Sequence, residues 1–123
     1  MITVFAVGLG GATGAILRWW IGVFFSSMNF AGYLSTLSVN LIGSFIIGLV
    51  FIFFQNKFPG GELLQNGIMV GLLGGFTTYS AFSLEVVNML TSGLLGRALI
   101  YALITLIGCI TAAFFGATIG RAI

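Results

Sequence analysis

An all-α membrane protein of four spans, with its third helix broken mid-membrane, is what this sequence predicts, and three observations predict it. Of its 123 residues 59% are hydrophobic and only 5% charged, and the mean hydropathy is +1.23. A water-soluble domain does not carry so apolar a chain. The charged residues, Arg18, Lys57, Glu62, Glu85, Arg97 and Arg121, punctuate apolar runs of about 20 residues, the length a helix needs to cross hydrocarbon. Inside the third run stands Gly74-Gly75-Phe76-Thr77-Thr78, a glycine pair and two β-branched threonines at the depth where hydrocarbon is thickest.

The spans fall near 2–25, 34–54, 63–88 and 96–120, so residues 1–123 make a single transmembrane domain. The first carries Gly8-Leu9-Gly10-Gly11-Ala12-Thr13-Gly14. As a dinucleotide-binding turn this lacks its acidic partner about 20 positions on, since nothing acidic precedes Glu62. Gly10 and Gly14 suit a small-xxx-small face for close helix packing instead. Arg18 follows at the far end with Trp19 and Trp20 as interface anchors. It either snorkels to the headgroups or draws anions toward a vestibule.

In the second span Thr36, Asn40, Ser44 and Gly48 recur four apart, a polar or small stripe that faces protein or water. Asn40 is its strongest element. A mid-span carboxamide offers two donors and an acceptor and is costly against lipid, so it lines a pore or glues helices together. Gln55 to Glu62 holds the only proline, two glycines and a charge pair, and reads as a turn. The third span opens with Gly67, Gly71 and Gly75, again four apart, so its first half packs tightly on another helix. After the break Tyr79 and Phe82 share a face, with Ser80 and Ser83 beside them. Glu85 is read as lying past this aromatic half. The fourth span has a ridge of Gly108, Ala112, Gly116 and Gly120 and a second stripe of Tyr101, Thr105 and Cys109, whose hydroxyls commonly satisfy their own helix carbonyls.

A broken helix in lipid reads as a site, because non-helical backbone survives there only where protein buries it or it lines a polar cavity. No histidine and a single cysteine argue against transition-metal chemistry. No nucleophile, base and orienting group converge, so an enzyme is not expected. With the spans read as free of Asp, Glu and His, no proton relay or cationic substrate site is available. What remains are the neutral donors Asn40, Thr77, Thr78, Ser80, Ser83, Tyr101 and Thr105, and aromatic edges that carry the positive end of the ring quadrupole. Both suit an anion.

Lys57 and Arg121 fall on one side of the membrane, Arg18 and Arg97 on the other, which leaves no positive-inside bias. The expectation is insertion both ways up, giving an antiparallel pair. Met1-Ile2-Thr3 carries no basic region, so a cleaved signal peptide is not expected.

Gly74-Gly75-Phe76-Thr77-Thr78-Tyr79-Ser80-Ala81-Phe82-Ser83, together with Gly11-Ala12-Thr13-Gly14-Ala15-Ile16-Leu17-Arg18-Trp19 and Thr36-Leu37-Ser38-Val39-Asn40-Leu41-Ile42-Gly43-Ser44-Phe45, resembles the Fluc (CrcB) family of small fluoride channels. The resemblance implies a dual-topology, antiparallel homodimer in lipid, at the inner (plasma) membrane, with no nucleic-acid partner. Its two pores would export fluoride passively from the cytoplasm. The resemblance also implies a structural sodium ion, Na+, on the dimer axis, held by the backbone carbonyls of Gly74 and Thr77 from both subunits. Tyr79 and Phe82 match the family's phenylalanine pair, Asn40 its pore asparagine, Ser80 its pore hydroxyl and Arg18 its vestibule arginine. Two departures stand out: Tyr79 replaces the commoner phenylalanine, and Ala81 a frequent threonine. The second shifts donor duty to Ser80 or to Tyr101 and Thr105, which brings Thr105 into the expected pore set.

Two other readings compete. A small multidrug-type cation exporter has similar length and span number but needs a membrane-embedded acid in span one, and Ile2 to Leu17 contain none. A holin-like assembly protein would use the glycine ridges but leaves the Asn40 stripe and the third-span break unexplained.

Overall fold

The computed structural model describes residues 1–123, all helical apart from short turns and the break in the third span. Three spans are unbroken: α1 (Ile2–Ser27), α2 (Gly32–Lys57) and α6 (Leu95–Ala122). The third is composite. A short α3 (Glu62–Asn66) runs into a π-helical stretch at Gly67–Leu73, a single turn α4 (Gly74–Phe76), two non-helical threonines and then α5 (Tyr79–Thr91). The four spanning stretches are 26, 26, 30 and 28 residues long, and at about 1.5 Å per residue each exceeds a hydrocarbon core of about 30 Å. Their ends lie within a few residues of the expected ones.

Only 17 of the 123 residues are buried, so most apolar side chains point out of the chain. Phe5, Leu103 and Ile107 are examples, as suits helices whose outer surface meets lipid rather than water.

Without water to drive apolar surfaces together, spans associate by close van der Waals contact and hydrogen bonds, and the glycine ridges supply the contact. A Cβ on Gly14 would collide with the Leu72 carbonyl and lie 2.8 Å from Phe76 N, and one on Gly75 would lie 2.5 Å from Gly11 O. The expected small faces of spans one and three therefore meet each other. The fourth-span ridge meets α2: a Cβ on Gly116 would collide with the Phe45 carbonyl, and one on Gly120 would lie 2.7 Å from Leu49 O.

The break sits where expected, but its residues divide the work differently. Gly74 is helical, at φ −63° and ψ −37°, while Thr77 and Thr78 are extended at φ −81°, ψ 159° and φ −152°, ψ 118°. β-Branched side chains favour extended backbone. The threonines thus make the break, and Gly75 makes the close approach to α1.

Candidate functional site

An extended residue inside a span frees backbone groups that lipid cannot satisfy, and at this break side chains answer several of them. Asn40 Oδ1 accepts from Thr78 N–H at 2.8 Å, and Asn40 Nδ2 donates to the Thr78 carbonyl at 2.9 Å; both residues are buried. Thr78 Oγ1 then caps α5, accepting from Ala81 N–H at 3.2 Å. Of the two roles open to Asn40, the helix-joining one is thus present.

Thr78 and Ala81 carry the N–H groups that an unbroken helix would direct to the carbonyls of Gly74 and Thr77. Diverted as they are, they leave both carbonyls without their helical donors. Carbonyl oxygens of this kind fit a hard cation such as sodium, so the residues present fit the implied ion. Two oxygens fall short of the shell such a cation takes, and the Thr77 carbonyl already accepts from Arg18 Nη1 at 3.2 Å.

Through that contact the Arg18 guanidinium, expected at the headgroups or at a vestibule, reaches the break, while Trp19 and Trp20 beside it are exposed.

The expected pore residues separate to two sides of Thr78. Asn40, Tyr79, Phe82 and Thr105, with Gly74 and Thr77, line a groove of about 770 Å³ whose wall holds no charged side chain. Arg18 and Ser80 lie instead in a smaller crevice of about 460 Å³ with Thr36. Thr78 belongs to both, and its hydroxyl stands 3.3 Å from that of Ser80. Tyr79 is 79% exposed, its ring 5.5 Å from that of Phe82 and tilted by 53°.

The spans are not free of acid, which is the main correction to the sequence reading. Glu85 lies within α5, its Oε1 accepting from Thr36 Oγ1 and its Oε2 from the Tyr101 hydroxyl, both at 2.7 Å. One carboxyl group therefore ties α2, α5 and α6. A signal for it was present, since Glu85 falls three residues after Phe82 within the same helical run.

Hydroxyl behaviour separates structural from available groups. Thr13, Ser38, Thr77, Ser83 and Thr118 each donate to the carbonyl four residues back, as expected of hydroxyls on helices. Thr105 does not. Its residue is 8% exposed and its Oγ1 has no hydrogen-bond partner, an arrangement that buried polar atoms rarely keep without a ligand or water.

Fold and site together define a small multi-pass membrane protein with an uncharged, donor-bearing groove at a broken span. The family model described as CrcB-like protein, Camphor Resistance (CrcB), matches residues 5–117. A protein of Magnetococcus marinus named fluoride-specific ion channel FluC is 42% identical over 118 residues, covering 95% of this chain and 96% of its own. Relatives of the same name from Agrobacterium fabrum and Ruminiclostridium cellulolyticum are 39% and 36% identical, over 98% and 100% of this chain and 98% and 95% of their own. The chain belongs to the CrcB family. Its relatives are named as ion channels, a class of proteins that are not enzymes.

Proposed function

We propose that this protein is a passive, fluoride-selective channel of the inner membrane, working as an antiparallel homodimer with one anion path per subunit. The observation that carries this reading is the groove at the break: Asn40 fixes it open to neutral donors and ring edges, and no charged side chain lines it. An anion entering lipid depth loses its water, and only hydrogen bonds and positive ring edges replace that shell without binding a full counter-charge. A small, hard anion gains most from the exchange. In the groove Phe82 and Tyr79 offer edges and Thr105 offers a hydroxyl, while across Thr78 the crevice of Arg18 and Ser80 supplies a positive field and a further donor at the approach.

Dual topology is supported by the even split of basic residues, and pairing by the freed Gly74 and Thr77 carbonyls, which in one copy are too few for a hard cation. Sodium bound there would supply a fixed positive charge and join the two breaks. Glu85 does not favour a cation exporter, because both of its oxygens face hydroxyl donors rather than the groove wall.

Liposomes loaded with potassium fluoride or potassium chloride, reconstituted with the protein and given valinomycin, test the reading. Fluoride is expected to leave rapidly while chloride stays. Equal release of both ions removes the selectivity claim, and release of neither removes the channel.

A further inference from the structure

The ring pair on α5 belongs to a longer ladder. Phe82 meets Tyr101 edge-on, with centroids 5.3 Å apart and planes at 63°, and Tyr101 meets Tyr33 at 5.3 Å and 60°. Tyr33 comes from the first turn of α2, Tyr101 from α6 and Phe82 from α5, so the ladder joins three elements. Tyr101 is buried with Met89 and Ala98, and Tyr33 and Phe82 both pack against that cluster. Its hydroxyl is the donor to Glu85 Oε2.

A tyrosine oxygen lies on the axis of its own χ2 rotation, so only a χ1 swing or a backbone shift moves it. Neighbouring rings prevent that swing. Tyr33 does not line the groove, and its hydroxyl makes no hydrogen bond within the chain. Its ring is therefore the working part.

We propose that Tyr33 is a positioning residue for the anion path: its ring holds Tyr101 so that the phenol stays on Glu85 and the ring stays against Phe82. The inference rests on reading the groove as that path. Tyr33→Phe keeps the ring and leaves fluoride efflux within about twofold of wild type, whereas Tyr33→Leu slows it about tenfold. Residues that act through one another are non-additive. In a Tyr101→Leu background, where the hydroxyl on Glu85 and the ring against Phe82 are both already gone, the Tyr33→Leu change costs less than about threefold.

Each variant is first required to elute from gel filtration as the wild type does, and Tyr33→Met stands in if Tyr33→Leu fails. If neither folds, Tyr33 is a packing residue and the proposal is overturned. Wild-type efflux from Tyr33→Leu, or a multiplicative loss in the double variant, overturns it while leaving the channel reading intact. A wild-type protein that releases no fluoride overturns both.

Discussion

Asn40 grips Thr78 by both of its backbone polar groups, at 2.8 Å through Oδ1 and 2.9 Å through Nδ2, across 38 residues of sequence. One side chain thus pairs both backbone groups of the residue at the centre of the break, and it lines the groove at the same time.

Removing that grip tests both roles. Asn40→Ala leaves a buried N–H and a buried carbonyl unpaired, at about 1–3 kcal/mol each, and lowers the thermal midpoint in detergent. Asn40→Asp keeps an acceptor for Thr78 N–H but sets an oxygen against the Thr78 carbonyl and buries a carboxyl group, so its midpoint falls as well, and its charge repels an anion and slows efflux. An Asn40→Ala midpoint equal to wild type would dismiss the structural role.

Phe82→Ile removes a ring edge from the groove and, with it, the edge contact to Tyr101. Efflux is expected to fall about tenfold or more. The measurement is single-turnover fluoride release from sparsely reconstituted vesicles, and an unchanged rate places the anion elsewhere.

Gly14 and Gly8 lie on the same helix and predict opposite results. A Cβ at Gly14 collides with the Leu72 carbonyl, while one at Gly8 meets nothing within 4 Å. Gly14→Val therefore forces α1 away from the third span and gives aggregated or poorly expressed protein. Gly8→Ala is neutral, or stabilising by about 0.5–1 kcal/mol through the unfolded chain. Gel filtration of both variants checks the pair.

Arg18→Gln removes both a donor to the Thr77 carbonyl and a positive charge at the approach. Fluoride efflux is expected to fall at low salt, with the gap to wild type narrowing as ionic strength screens the field. A deficit that does not change with salt assigns Arg18 to the hydrogen bond alone.

Sodium binding predicts a midpoint that rises with sodium concentration, because a ligand held only by the folded state stabilises it by mass action. Exchanging sodium for N-methylglucamine at equal ionic strength is expected to lower the thermal midpoint. Identical melting in the two salts argues against a cation at Gly74 and Thr77.

Hydropathy and spacing alone determined the four spans, the place of the break and the glycine faces, because each is a property of residues close together in the chain and of the solvent around them. The break is where glycines and threonines interrupt an apolar run, and the ridges recur every four residues, so neither needs a partner to be recognised. What the tertiary structure decided are pairings across long sequence separations: Asn40 with Thr78, Arg18 with Thr77, and Glu85 with Thr36 and Tyr101. The same holds for the division of Ser80 and Arg18 from the groove that holds Phe82 and Thr105. Those depend on how far each helix is rotated and where the two extended threonines redirect α5, and hydrogen bonds of about 3 Å reach exist only once that rotation is fixed by packing.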